Sequence, residues 1–285
     1  MDLSDESKWN MLQLGVHESR ISSAFESLRS VGIEPILFKG WAVANLYPRE
    51  RPRAFNDIDF AISPEQFSSA QQLLRSPGYG HLNVDLHRGF RHLDVRPWQE
   101  IFVESIVSNV NGTDFRTPSP EDHLRLLCSH WLNDGGADKD RLWDIYYSVE
   151  RRPQTFDWDK CLNAAGRERR SWVIYTIAIA HEYLGLVIED LPMRDELRSF
   201  PAWMRKTVEG EWNSGVRLRD LHLCFGDRRE LWTQIKKRLP PNPIQATIEM
   251  QRSLDDPRRA YFQTRTLVKR GLQSASKLKN RFITP

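Results

Sequence analysis

The residues best suited to chemistry are Asp57-Ile-Asp59, because side chains at i and i+2 of an extended strand leave the same sheet face. Two carboxylates so placed repel and desolvate each other unless water, a cation or basic partners compensate them. Divalent metal is one such compensation. Hard carboxylate oxygens suit Mg²⁺, with Mn²⁺ as a substitute, and two such ions clamp the attacking and leaving oxygens of a phosphoryl transfer. A third carboxylate on a neighbouring strand completes that arrangement. Asp85 fits it, in the extended segment 81–90 with His87 two residues on and on the same face. The spacing by itself leaves a second reading open, in which Asp57 and Asp59 begin a solvent-facing edge strand.

Lys39-Gly40 lies between an apolar run and the stretch 41–47, a strand-to-helix turn whose backbone N–H groups favour phosphate. Lys39 offers a point charge and Arg53 a planar donor fork, in a loop that also carries Arg49 and Arg51. Either could instead pair with Asp57 or Asp59 and neutralise the site. His123 and His130, seven apart on one helical face, with Asp144 on the next helix, read as a buried polar cluster. They do not read as zinc ligands, since no H-E-x-x-H spacing is present. Cys128, Cys161 and Cys224 are too few and too scattered for a disulfide framework.

These residues need elements to hold them. Residues 7–31 have helical apolar spacing that ends at Gly32; residues 35–38 read as a buried strand and 41–47 as a short helix. Residues 57–62 alternate like a strand, and Ser63-Pro-Glu-Gln66 carries the N-terminal signature of a helix running to Arg75. Residues 81–90 read as extended, with further strands expected over 100–110. From Ser119 the pattern turns helical, with candidates at 157–166, 170–186, 193–203 and 230–239 before the Pro240-Pro-Asn-Pro243 break. The expected division is an α/β domain over 1–117, a helical domain over 118–240, and a proline break with a basic tail over 241–285.

The chain has 285 residues, 40% hydrophobic and 28% charged, which excludes wholesale disorder and a collagen-like class. No apolar run approaches the roughly 20 residues that span a bilayer. The N-terminus has neither the basic nor the apolar region of a secretory signal, so the cytoplasm is the expected compartment. The net charge of +3 conceals an asymmetry. Eight of the 41 Lys and Arg lie between Arg258 and Arg281, where no acid occurs, leaving 33 against 38 acids elsewhere. Such a tail suits phosphate or an acidic surface, or is simply a solvated helix face.

Leu37-Phe-Lys-Gly-Trp-Ala-Val-Ala-Asn-Leu-Tyr47, Arg53 and Asp57-Ile-Asp59 together resemble the uncharacterised nucleotidyltransferase family of the DNA polymerase β-like superfamily. Val84-Asp-Leu-His87 resembles its third acidic strand, and Ser119-Pro-Glu-Asp-His-Leu with His130 and Leu142-Trp-Asp-Ile145 its helical region, so that the likeness covers about residues 30–150. The superfamily at large has Gly-Gly or Gly-Ser at the turn, whereas this chain has Lys39-Gly40-Trp41. The resemblance implies an α+β fold, a polymerase β-like mixed sheet flanked by helices and followed by a mainly helical region. It also implies Mg²⁺ (or Mn²⁺) at Asp57, Asp59 and Asp85, with an NTP held by Lys39, Gly40, Arg53 and His87. The activity implied is transfer of a nucleoside monophosphate to an acceptor, whether small molecule, peptide or RNA, with release of pyrophosphate; RNA would use the basic tail. Two other readings stand beside it: a non-catalytic nucleotide- or partner-binding module on the same fold, and a toxin-like enzyme modifying tRNA or protein.

Overall fold

The structure is a computed structural model; it describes residues 5–283 except 91, 92, 94, 95, 165, 217 and 220, with side chains from 14 to 272 apart from those positions and 222. Two units divide the chain: Met1–Leu127 with Tyr147–Ala165, and Cys128–Tyr146 with Gly166–Pro285.

In the first unit, α1 (Asp5–Arg29) stops just before Gly32, which takes φ +76°. Then come β1 (Ile36–Leu37), α2 (Gly40–Ala44), β2 (Ile58–Ile62), α3 (Phe67–Arg75) and β3 (Val84–Arg88). The strands form a mixed sheet in the order β1-β2-β3, antiparallel on one side of β2 and parallel on the other. Strand β2 is buried on both faces, and its alternation sorts two cores. Ile58, Phe60 and Ile62 meet Ile21, Phe25 and Leu28 of α1 and Ala70 of α3. Ala61 packs on the opposite side with Ile36, Phe38, Phe90, Leu93 and Ile101. Asp59 shares the face of Ala61, so the site begins inside an apolar layer.

Beyond the sheet lie α4 (Trp98–Val103), the hairpin β4 (Ile106–Val110) with β5 (Thr113–Thr117), α5 (Pro120–Asn133), α6 (Leu142–Glu150) and α7 (Trp158–Asn163). The expected strands over 100–110 are thus corrected at their start. Trp98, Ile101 and Phe102 recur at i, i+3 and i+4 and pack together on the second core as a helix, after Pro97. The hairpin has a local cause. Asn111 and Gly112 both take positive φ, 51° and 87°, the requirement of a two-residue turn matched to strand twist. Strand β3 is also shorter than expected, because Gly80–Leu82 forms a 3-10 turn and Asn83 adopts a left-handed conformation.

The second unit is mainly helical: α8 (Arg167–Leu184), α9 (Arg194–Leu197), α10 (Ala202–Ser214), α11 (Arg228–Arg238), α12 (Pro243–Glu249) and α13 (Arg259–Ile283). The single helix expected over 193–203 is two, because Pro201 cannot continue α9 and instead starts α10. Asn242 caps α12 by accepting from the N–H groups of Ile244 and Gln245, with Pro243 at its first position, so the proline break is a helix start. The basic run is helical within α13. Among the described residues no helix is long and apolar enough to cross a membrane.

Candidate functional site

The parallel ladder sets Asp59 directly beside Asp85, and Ala61 beside His87. Phe38 donates its backbone N–H to the Asp59 carbonyl at 3.0 Å, bringing the following turn to the same carboxylate. The result is a compact polar cluster. Lys39 Nζ lies 2.9 Å from Asp59 Oδ1, and His87 Nε2 stands 3.0 Å from Asp59 Oδ1 and 3.2 Å from Asp85 Oδ2. The His87 ring meets Phe38 edge-on at 4.9 Å, which fixes the imidazole against the apolar layer.

Asp59 is only 5% exposed, whereas the Asp85 side chain is 60% exposed. Burial pushes the Asp59 carboxyl upward, but the hydrogen bond with His87 and the charge and hydrogen bond of Lys39 outweigh it and hold the carboxyl below the usual aspartate value. Asp59 is therefore a fixed anion at neutral pH, and Asp85 is the solvent-facing one of the pair.

Lys39 has φ +56° and ψ −145°, a strained conformation for a residue with a side chain, and Gly40 follows with φ +30°. A Cβ on Gly40 would stand 3.4 Å from the Asp57 carbonyl and 3.6 Å from the Phe55 ring. Glycine is thus required by conformation and by the close approach of the loop before β2. The strained turn is held from behind. The Lys39 N–H donates to Nε2 of buried His123 on α5 at 3.3 Å. Burial, and next the positive charge of Arg53, lower the His123 pKa to about 4, so it accepts as a neutral imidazole.

A pH dependence follows from His123. Between pH 6.5 and about 4 the unfolded chain takes up a proton that the folded chain refuses, so stability falls as pH falls through that window. The expected slope from this group reaches about 1.4 kcal/mol per pH unit, totalling about 3 kcal/mol. Denaturant unfolding of wild type and His123→Gln across the window measures it. The variant should lose that slope, and parallel curves would refute the assignment.

Asp59, Asp85 and His87 form the group, among the described residues, whose donor atoms all lie within 4.8 Å of one another. Asp57 is outside it. It occupies an exposed bend one residue before β2, so the i, i+2 strand relation to Asp59 does not hold, and its carbonyl faces the Gly40 turn. Arg53 is half-buried, contacts the Ala54 carbonyl through Nη1 at 3.4 Å, and lies close enough for His123 to feel its charge. His92 lies outside the described residues. Sequence reasoning put His123 in the core but missed its support of Lys39, because no local pattern joins residues 84 positions apart.

The donor set fits a divalent cation. Ligands at adjacent corners of an octahedron with metal–ligand bonds of about 2.1 Å stand about 3 Å apart, as the His87 nitrogen does from both carboxylates. The two carboxylates suit Mg²⁺ or Mn²⁺, and the imidazole favours the transition metal Mn²⁺ of the two.

A buried aspartate is paired across a parallel ladder with an exposed one, beside a glycine turn on a small mixed sheet. Residues 1–92 match the family model described as uncharacterised nucleotidyltransferase, the family that the motifs over 37–87 resemble. The match contains Lys39, Gly40, Arg53, Asp57, Asp59, Asp85 and His87, and ends before the helical motifs that begin at Ser119. No curated protein matches the chain. Among solved structures, the chain is similar to an antigenic nucleotidyltransferase-like protein from Paracoccidioides brasiliensis, with 15% identity over 64% of this chain and 92% of that one, and a TM-score of 0.44.

Proposed function

We propose that the first unit transfers a nucleoside monophosphate from an NTP to an acceptor hydroxyl, phosphate or amine with release of pyrophosphate. One observation carries this reading: Asp59 and Asp85 stand side by side in register, bridged by His87, next to the Lys39-Gly40 turn. Asp59, Asp85 and His87 would hold Mg²⁺ or Mn²⁺, with Asp57 as the outer carboxylate. A bound cation there would neutralise charge on the phosphate oxygens. Lys39 and Arg53 add positive charge for the triphosphate, and Gly40 leaves the backbone open to it. Asp85, the exposed carboxylate, accepts the acceptor's proton. The cytoplasm, the compartment expected from the sequence, would supply the NTP.

A second reading, a nucleotide-binding module without turnover, is favoured by the Lys39 ammonium at 2.9 Å from Asp59, which already neutralises that carboxylate. Incubation with each labelled NTP, Mg²⁺ or Mn²⁺ and a host extract separates the two. Label transferred to an acceptor is expected, and its appearance in tRNA or protein rather than a small molecule would make the enzyme one that modifies macromolecules. Metal-dependent NTP protection against thermal unfolding without label would establish the binding module. Neither response would refute both.

A further inference from the structure

Helix α13 carries a feature that nucleotidyl transfer does not use. Its inner side packs on α12: Phe262 and Thr266 are buried, and Arg270 pairs with Glu249 of α12. Positions 262, 266 and 270 are four apart and share one helical face. On the far side, Tyr261, Val268 and Leu272 fall within about 40° of one another around the axis. They are 54%, 57% and 68% exposed. Arg265 and Lys269, both exposed, run alongside this stripe, and Arg265 donates to the Tyr261 hydroxyl at 3.1 Å. Between Arg259 and Ile283 the sequence has seven Lys or Arg and no Asp or Glu.

A solvated helix face would place polar residues along this stripe and mix both signs of charge to form i, i+4 pairs. The phosphates of RNA would use the arginines and lysines but gain nothing from Val268 and Leu272. A second copy of the helix would bring like charges together. An anionic bilayer answers both halves of the pattern, with headgroups for the basic residues and an acyl boundary for the apolar ones. We propose that α13 lies flat on an anionic lipid surface and docks the protein there as a peripheral protein. Exposed Leu223, Phe225 and Trp232 lie beside or on α11, which carries five Lys or Arg against the single acid Glu230, and give the same unit a second basic stretch with exposed apolar residues.

The test is co-sedimentation of the full chain with vesicles of phosphatidylcholine alone or mixed with phosphatidylglycerol, at low and high salt. Binding is expected only to the phosphatidylglycerol vesicles and weakens with salt. Val268→Ser with Leu272→Ser should weaken it about tenfold or more. Arg265→Gln with Lys269→Gln should weaken it about twenty-fivefold, near fivefold for each charge. All four positions are exposed, so an unchanged denaturation midpoint certifies the fold of each variant. Three outcomes overturn the proposal. One is the absence of binding to phosphatidylglycerol vesicles. Another is binding that ignores the Val268/Leu272 change, the behaviour of a surface for any polyanion such as RNA. The third is self-association that this same change abolishes.

Discussion

Asp85→Asn should abolish the proposed nucleotidyl transfer while leaving the denaturation midpoint nearly unmoved, whereas Asp59→Asn should lose both activity and stability. Both carboxylates belong to one donor set, so removing either charge should cost at least about a hundredfold in kcat/KM. Their surroundings differ. The Asp85 side chain is mostly solvated, and its amide replacement changes stability by no more than about 0.5 kcal/mol. Asp59 is buried against Lys39 and His87, and its amide leaves a largely buried ammonium without its anion, at a cost of about 2 kcal/mol. The sign with pH is fixed by the lowered Asp59 pKa. The stabilising contribution is full above the ordinary aspartate value of 3.8 and is lost as pH falls through the lower folded-state value. At neutral pH the whole difference between the two variants should therefore be visible. Steady-state kinetics beside urea titrations of both proteins measure it. An Asp85→Asn enzyme with undiminished turnover would remove Asp85 from the site.

Asp122→Ala should have the largest effect on stability, about 3–5 kcal/mol, because it leaves the buried Arg125 guanidinium without an anion and takes from Arg96 its buried carboxylate. Asp122 is fully buried. It receives Arg96 Nη1 at 2.7 and 3.0 Å and is also bonded by Arg125 of its own helix. Arg96 reaches on to Glu104 at 2.7 Å, and Arg125 to the Lys160 carbonyl at 3.1 Å, so the cluster ties α5 to the end of α4 and to α7. The next residue along α5 is His123, which holds the Lys39 N–H. Destabilising Asp122 should therefore loosen the Lys39-Gly40 turn as well. The expected signature is a lower denaturation midpoint together with a raised KM for NTP at temperatures where the variant is still folded. Replacing Arg96, Asp122 and Arg125 together by apolar residues should recover much of the stability, since the lost charges would no longer be buried. A single Asp122→Ala protein as stable as wild type would mean that water reaches the arginines.

The end of α3 at Arg75 and the existence of α1, β1, β2 and β3 were legible because each follows from local pattern: helical apolar spacing, a glycine stop and alternation along 57–62; the Ser63-Pro64 capping signature instead falls on a turn, and α3 begins later, at Phe67. Helix α4 was misread because the Trp98, Ile101 and Phe102 stripe lies in a stretch whose β-branched residues also suit strands. The Asn111-Gly112 hairpin was legible but overlooked. For the site, the sequence singled out Lys39, Gly40, Arg53, Asp57, Asp59, Asp85 and His87, since acid and basic residue types at turn and strand spacings announce themselves; the compact donor group holds Asp59, Asp85 and His87 but not Asp57.

The sequence by itself determined which residue types could do chemistry here and that they would sit on strands and a glycine turn. Tertiary structure alone decided their pairing. The β2-β3 register set Asp59 against Asp85, and the bend before β2 left Asp57 exposed and off the strand. The buried Asp122 cluster anchors α5, which carries His123 to the back of the strained Lys39. Local spacing fixes a side chain's direction relative to its own strand or helix. Which partner it meets depends on contacts between residues tens of positions apart, and those exist only once the cores on both faces of the sheet have closed.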